Sequence, residues 1–320
     1  MTARPITVLS INGWCRNGST IVGNLLNEVP GFFHVGELGF LWKNAYGTGS
    51  NTSCGCGQAL ARCPIWSRVL AAELPAGAEA EAHARAVQQR QTAALRTRHT
   101  WRVLRGGAGA EARAEHARTM ARTYRAIAEA TGARVIIDST KLPAEAALLP
   151  SVEGIEPLYL HLIRDPRAAA HSWSKQKDYI HTMSPARSTA YWVGFNLASH
   201  AIARRHPERS MFLSYEDFIQ EPAPAIAALI ERCGGDPEIN PVRGRRAELR
   251  ANHTVTGNPD RFKTGAVEIR GTDRAWHGEL STPAALTTVA LSWPLLAYYG
   301  YPLRATPDDK EVRHGSRTHA

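Results

Sequence analysis

The sequence lacks any apolar run long enough to cross a membrane, and its N terminus lacks the apolar core and cleavage site of a secretory leader. A membrane-spanning helix needs about 20 consecutive apolar residues, whereas a leader has an apolar core of about 7–15 residues. The first apolar run, residues 6–10, is too short for either. We therefore expect a cytoplasmic protein without a membrane span.

Cysteine is scarce, with five residues in a chain of 320. An odd, small number in a long chain is not typical of a secreted disulfide framework. Cys54, Cys56 and Cys63 form the pattern C-x-C-x6-C, which resembles part of a zinc site, but no fourth ligand is evident nearby. We therefore favour small buried or loop cysteines over a structural zinc site, and we expect no metal ligands.

Lysine is also rare, since only six of the 38 basic residues are lysine and the rest are arginine. The formal net charge of +9 and the pI near 9.6 favour acidic partners such as nucleic acid, anionic membranes or phosphorylated small molecules. The arginines are scattered, however, and no groove-reading motif is present. We expect a small-molecule partner and no nucleic acid.

Apolar, strand-like runs alternate with helical segments along the chain, which predicts an α/β fold with a parallel sheet flanked by helices. The predicted strands are residues 6–10, 32–38, 133–138, 157–165 and 211–215, and helical segments include residues 189–205 and 217–233. A single domain is expected over residues 1–303, followed by a disordered tail at 304–320. Residues 76–131 read as a helical insertion of two helices, with Met120, Tyr124 and Ile127 facing the core.

The stretch "GWCRNGST", residues 13–20, lies between the first strand and a helix. Backbone N–H groups at such a turn, together with the helix dipole, attract an oxyanion. Nucleotide hydrolases place a lysine directly before the final Ser or Thr, whereas here Gly18 precedes Ser19 and Arg16 is the cation of the loop. The loop alone is consistent with an anion site or with an ordinary Gly-Ser turn.

A second candidate anion site follows the strand in "LHLIRDPRAAAHSW". The strand ends at Arg164, Asp165 suits a helix N-cap and Pro166 suits the first helical residue. Ser172 then lies about two turns into the helix, where its hydroxyl and the Arg164 guanidinium can bind one phosphate. A capped helix with a surface arginine is the alternative, but two such sites in one chain favour anion binding.

Together, "CRNGST" and "RDPRAAAHS" resemble the 5′-phosphosulfate loop and the 3′-phosphate motif of sulfotransferases that use 3′-phosphoadenosine 5′-phosphosulfate (PAPS). "SYEDF" (214–218) and, more loosely, "GNPDRF" (257–262) resemble further segments of bacterial members. The resemblance implies a P-loop-like α/β fold and transfer of a sulfuryl group from PAPS to a hydroxyl or, less often, an amine. Adenosine 3′,5′-bisphosphate would be the product, and no metal would be required.

The resemblance also implies which residues bind the nucleotide. The expected set on the 5′ side is Arg16, Asn17, Gly18, Ser19 and Thr20. Arg164 and Ser172 would bind the 3′-phosphate. Weaker candidates are Asn258 and Arg261 of the segment 257–262, which we call the late loop. Cytosolic eukaryotic members have lysine at the position of Arg16. Arginine keeps the positive charge, but its guanidinium group is planar and has several N–H donors.

The acceptor hydroxyl needs a general base, for which three residues are candidates. Glu37 is the first choice because it follows a strand and its "GE" resembles the acid position of some membrane-bound relatives. His34 is the second, with a core position as the alternative, and Asp138 is the third unless it caps the next helix. Lys141 is expected to contact the transferring sulfuryl group, so the predicted catalytic residues are Arg16, Glu37 and Lys141.

The acceptor itself is not identified by the sequence, and a small metabolite, a lipid or a saccharide would fit. Residues 76–131 and 175–192 are expected to shape its pocket, with aromatic candidates Trp173, Tyr179, Tyr191 and Trp192; a core position is favoured for Trp192. Two alternative functions stay open. They are a P-loop kinase that uses Mg-ATP on a small molecule, and a non-catalytic nucleotide- or RNA-binding module.

Overall fold

The structure is a computed structural model that describes residues 4–46, 49, 51–73, 78–107, 109–176, 181–270 and 276–304. Beyond Arg304, the predicted tail lies outside these residues, as does Tyr179. Within the described part of the chain, no helix combines the length and the apolar character needed to cross a bilayer.

Five parallel strands form the central sheet, and each corresponds to one predicted strand. They are β1 (Ile6–Asn12), β2 (Phe32–Gly36), β3 (Val135–Asp138), β4 (Ile155–Ile163) and β5 (Ser210–Ser214), in the spatial order β2-β3-β1-β4-β5. Strands β1 to β4 are mostly apolar because both faces of the sheet are covered there. At the edge, Phe212 of β5 is exposed. A short antiparallel hairpin of β6 (Arg246–Leu249) and β7 (Gly265–Glu268) is additional to the predicted strands.

Helices connect the strands and cover both faces of the sheet. They are α1 (Ser19–Leu26), α2 (Leu41–Tyr46), α3 (Trp66–Glu73), α4 (Ala78–Ala94), α5 (Thr100–Arg105), α6 (Ala110–Thr131), α7 (Pro143–Ala146), α8 (Pro166–Ser174), α9 (Pro185–Arg205), α10 (Tyr215–Gln220), α11 (Pro222–Arg232) and α12 (Thr282–Tyr299). The predicted single helix over 217–233 is two helices. Pro222 separates them because proline lacks the N–H of a helix interior and fits a first turn.

The core has two layers, one on each face of the sheet. Successive residues of β1 point to opposite faces: Val8 packs in the layer that contains Tyr124 of α6, and Leu9 packs in the layer that contains Leu25 of α1. Met120, Tyr124 and Ile127 are buried, as the helical pattern predicted. The prediction of two helices over 76–131 is wrong, because α4, α5 and α6 all lie in this segment. The observed architecture is the α/β fold with a flanked parallel sheet that the sequence predicted.

The strand register brings the loops of interest to one edge of the sheet. Ser10 of β1 pairs with Asp138 of β3, Asp138 pairs with Gly36 of β2, and Asn12 pairs with His161 of β4. Because all five strands are parallel, the loops after β1, β2, β3 and β4 leave the sheet at its carboxyl edge, where ligands of open α/β sheets bind.

Candidate active site

The loop between β1 and α1 lies directly against the end of β4 and the start of α10. Gly13 has φ 120° and Gly18 has φ 91°, backbone conformations that favour glycine. A Cβ atom on Gly13 would lie 2.2 Å from the carbonyl oxygen of Leu162, and one on Gly18 would lie 2.3 Å from the ring of Tyr215. Both glycines are therefore required for this close approach.

Asn17 holds the loop in its conformation from within. Its buried side chain donates from Nδ2 to the carbonyl oxygen of Leu162 at 2.7 Å, and the Ser19 N–H donates to its Oδ1 at 3.3 Å. Gly18 is the N-cap of α1 and has no side chain to cap it. The first turn of α1 therefore presents its N–H groups at the loop, as an anion site requires.

The two predicted anion motifs meet in space. Arg16 Nε donates to Ser172 Oγ at 3.0 Å, and Arg164 Nη1 donates to the carbonyl oxygen of Arg16 at 2.8 Å. The Arg164 guanidinium lies 4.8 Å from the ring centre of Tyr215, the same ring that packs on Gly18. Arg16, Gly18, Arg164 and Ser172 thus form one half-buried, cationic cluster.

The helix that carries Ser172 begins as predicted. Asp165 is the N-cap of α8 and accepts from the Arg167 N–H at 2.8 Å, and Pro166 occupies the first turn. The same carboxylate pairs with the buried Arg167 guanidinium at 2.6 Å. This cap fixes the direction in which α8 leaves β4, and therefore the position of Ser172.

Lys141 supplies a second cation, from the loop after β3. Its Nζ donates to Glu37 Oε1 at 2.8 Å, to the Ser139 carbonyl oxygen at 2.5 Å and to Ser19 Oγ at 3.3 Å. Burial lowers the pKa of Lys141, but the nearby Glu37 carboxylate and other groups outweigh burial and raise it above its ordinary value. A charged lysine therefore lies beside Ser19, although the loop itself contains none.

Glu37 lies immediately after β2, and its carboxylate accepts the hydrogen bond from Lys141 Nζ. Its side chain is 21% exposed, so the carboxylate faces both the lysine and solvent. The structure thus links two of the three predicted catalytic residues, Glu37 and Lys141, to Ser19 of the loop that also contains the third, Arg16.

His34 is a buried core residue, 1% exposed. Its Nδ1 lies 3.2 Å from Asn24 Oδ1 and its Nε2 lies 3.1 Å from Ser139 Oγ. Burial, followed by the charge of Lys141, lowers the pKa of His34 to about 3. The ring is therefore neutral and occupied by hydrogen bonds on both nitrogens.

Asp138 is also buried, 7% exposed, and its two oxygens are engaged. The Tyr124 hydroxyl donates to Oδ2 at 2.8 Å, and the Thr140 N–H donates to Oδ1 at 2.9 Å. Burial raises the pKa of Asp138 to about 6, although hydrogen bonds from Thr140 oppose the increase. Asp138 therefore shapes the turn that presents Lys141.

The late loop lies next to α1. Gly257 is near Thr20, since a Cβ atom on Gly257 would lie 4.0 Å from Thr20 Oγ1. Asn258 caps the following short 3-10 helix, Pro259–Phe262. The buried Arg261 guanidinium donates to the Thr254 carbonyl oxygen at 3.0 Å, the Ser53 carbonyl oxygen at 2.9 Å and Asn51 Oδ1 at 2.7 Å. Contacts of Asn258 and Arg261 with a nucleotide stay predictions.

The expected acceptor side is formed partly by α4. Gln91 of α4 donates to the Gly39 carbonyl oxygen and to Glu145 Oε1, each at 3.0 Å, so α4 packs on the segment that follows Glu37. A cavity of about 820 Å³ is lined by Tyr46 and by residues of α4 and the following turn. Trp173 and Trp192 are buried core residues, whereas Tyr191 is exposed.

One group of residues was incompletely predicted. The three clustered cysteines meet His253, whose Nδ1 lies 3.2 Å from Cys63 Sγ. Local spacing does not predict this fourth residue, because it lies 190 positions after Cys63. A histidine at such a distance gives no local signal.

Comparison with known proteins agrees with this geometry. Residues 9–237 match the model of the sulfotransferase family, so the chain belongs to that family. No curated protein sequence matches the chain. Family membership favours the sulfotransferase prediction over the kinase and the binding module.

Solved structures show the same fold. The sulfotransferase domain of the Synechococcus PCC 7002 olefin synthase is similar with a TM-score of 0.51 and 18% identity, covering 94% of this chain and 97% of that chain. The sulfotransferase domain from the curacin biosynthetic pathway is similar with a TM-score of 0.52 and 16% identity, covering 94% and 99%. At these identities the likeness shows the sulfotransferase fold.

The buried His34 predicts how stability depends on pH. Its pKa is about 3 in the folded protein and 6.5 when unperturbed, so below pH 6.5 the unfolded chain binds the proton and stability falls. Between pH 7 and pH 5 this group contributes a loss of about 2 kcal/mol in the free energy of unfolding. Urea unfolding of His34→Gln should show a pH dependence weaker by that amount.

The exposed His181 offers a matched control. His181→Gln should keep the wild-type pH dependence of unfolding. An equal pH dependence in His34→Gln and wild type would contradict a neutral, buried His34.

Proposed function

We propose that this sulfotransferase uses PAPS as its donor and transfers the sulfuryl group to a hydroxyl of a small-molecule acceptor. The observation that carries the proposal is the contact between the two predicted anion motifs. Arg16 Nε donates to Ser172 Oγ at 3.0 Å, and Arg164 Nη1 donates to the carbonyl oxygen of Arg16 at 2.8 Å. A donor with phosphate groups at both its 3′ and 5′ positions needs two adjacent anion sites, and a nucleoside triphosphate does not.

The 5′-phosphosulfate would lie on the N-terminal turn of α1. There it meets the N–H groups that follow Gly18, the hydroxyls of Ser19 and Thr20, and the Lys141 ammonium, which lies 3.3 Å from Ser19 Oγ. The 3′-phosphate would lie on Arg164 and Ser172. Guanidinium groups suit this role because they donate two parallel hydrogen bonds to phosphate oxygens.

The reaction is an in-line displacement at sulfur. The acceptor oxygen forms a bond to sulfur while the bond between sulfur and the bridging phosphate oxygen breaks, which leaves adenosine 3′,5′-bisphosphate. Negative charge grows on the bridging oxygen as this bond breaks, and Arg16, Lys141 and the loop N–H groups are placed to stabilise it. The acceptor proton goes to a general base.

Glu37 is the base that we favour among the three candidates. Its side chain is 21% exposed, whereas His34 is 1% and Asp138 is 7% exposed, and both of these are enclosed by hydrogen bonds. Its ion-pair partner Lys141, at 2.8 Å, also lies 3.3 Å from Ser19 Oγ, so the carboxylate adjoins the proposed position of the sulfuryl group. Glu37 also adjoins the segment against which α4 packs, so we place the acceptor on that side.

Removal of Arg164 tests the donor assignment. Arg164→Ala should raise the KM for PAPS at least about 30-fold, which corresponds to about 2 kcal/mol, because the 3′-phosphate loses its guanidinium partner. Steady-state kinetics with varied PAPS and a fixed acceptor measure this change.

An exposed arginine on α9 supplies the control. Arg204→Ala changes the net charge equally and should leave the KM for PAPS at the wild-type value. A KM for PAPS that is unchanged in Arg164→Ala would remove the assignment of this motif to the 3′-phosphate.

Substitution of Glu37 tests the base. Glu37→Gln should lower kcat by about 10²–10⁴-fold, because a general base contributes a factor of that size. The KM for PAPS should change less than kcat, since Glu37 adjoins the donor only through Lys141. Pre-steady-state and steady-state rates at one pH measure both quantities.

Glu73→Gln is a suitable comparison because Glu73 also pairs with a basic side chain, Arg122, at 3.1 Å but lies on α3 outside the predicted site. Its kcat should equal that of the wild type. If Glu37→Gln retains full kcat, another residue is the base.

A further inference from the structure

Four potential metal ligands converge between the loop before α3 and the late loop. One ligand atom from each of Cys54, Cys56, Cys63 and His253 lies within 4.8 Å of all the others. His253 Nδ1 lies 3.2 Å from Cys63 Sγ and 3.8 Å from Cys54 Sγ. Around a tetrahedral zinc ion, neighbouring sulfur atoms lie about 3.8 Å apart and nitrogen lies about 3.6 Å from sulfur, as the bond lengths require.

We propose that Cys54, Cys56, Cys63 and His253 bind one structural Zn²⁺. Three sulfur ligands and one imidazole, close enough together for tetrahedral coordination of one ion, are a donor set that favours zinc. With four protein ligands the coordination is closed, so the ion holds the two loops together and takes no part in sulfuryl transfer. The site is independent of the proposed donor.

The backbone around the cysteines is arranged for this role. In the turn after Cys54, the Cys54 N–H donates to the Gln58 carbonyl oxygen at 2.7 Å and the Gly57 N–H donates to the Cys54 carbonyl oxygen at 2.9 Å. These two bonds close a tight turn that contains Cys56.

His253 is fixed at the same place through its backbone. The Trp66 indole donates to the His253 carbonyl oxygen at 2.5 Å, and the Gly55 N–H donates to the Thr254 carbonyl oxygen at 2.9 Å. These bonds join the residues next to Cys54, the residues after Cys63 and the segment of His253. The segment of His253 is therefore held beside the cysteine turn.

The buried Arg261 provides the opposite charge. Three thiolates with one Zn²⁺ carry a net charge of −1, and a buried charge requires a compensating partner. The hydrogen bonds of the Arg261 guanidinium go to the neutral oxygens of Asn51, Ser53 and Thr254, which adjoin the cysteine turn and His253. A negative zinc–thiolate centre beside those segments would stabilise this guanidinium, as the charge of Glu37 also does.

The ion would hold the late loop against the phosphate-binding side of the sheet. Two residues after His253, the Val255 N–H donates to the Val35 carbonyl oxygen of β2 at 2.9 Å. Gly257 then lies beside Thr20 at the start of α1. Loss of the ion would therefore loosen the loop that borders the candidate active site.

The test is metal analysis of the full chain, purified under reducing conditions without a chelator. Elemental analysis should find about one zinc per chain in the wild type, and His253→Ala and Cys63→Ser should reduce it at least about tenfold. Cys233→Ala removes a cysteine elsewhere, at the end of α11, and should retain the zinc.

A measurement on the wild type keeps the test decisive where a variant fails to fold. Cobalt bound in place of zinc should show the visible absorption of a tetrahedral thiolate site, and chelation should lower Tm by at least about 5 °C. Reduced, folded wild type that contains no zinc, binds no cobalt and keeps its Tm after chelation would overturn the proposal.

Discussion

The close contact between the first loop and the end of β4 is the constraint on which the site depends. Arg164 bonds to the Arg16 carbonyl oxygen at 2.8 Å, Asn17 bonds to the Leu162 carbonyl oxygen at 2.7 Å, and Gly13 has no room for a side chain there. Because β1 and β4 are neighbours in the parallel sheet, loops distant in sequence become one surface. The two predicted anion motifs therefore lie next to each other.

A second constraint is the distribution of charge around this surface. The loop has no lysine of its own, but Lys141 reaches Ser19 from the loop after β3 and is kept charged by Glu37. Arg16 approaches from the other side, through Ser172. Cations on both sides of an N-terminal helical turn suit a donor whose leaving group becomes more negative during the reaction.

Sequence patterns were sufficient for the fold and for the start of α8. Apolar runs located the five strands, and the Asp165–Pro166 pair located the start of α8, because burial and capping are local requirements. Contacts between loops were not predictable, since Lys141 meets Glu37 across 104 positions and His253 meets Cys63 across 190. The sequence pattern also allowed His34 to be either a catalytic base or a core residue, and the structure buries its side chain in the core.

The most direct test of the account is the thermal shift of the purified protein with adenosine 3′,5′-bisphosphate, compared with AMP and with Mg-ATP. At about one hundred times its Kd, a ligand adds about 2.7 kcal/mol of stability. For a PAPS-dependent enzyme we expect a selective increase in Tm with the bisphosphate, because only this nucleotide has phosphates for both the loop and the Arg164–Ser172 pair. An increase with Mg-ATP alone, or no increase with any of the three, would contradict it.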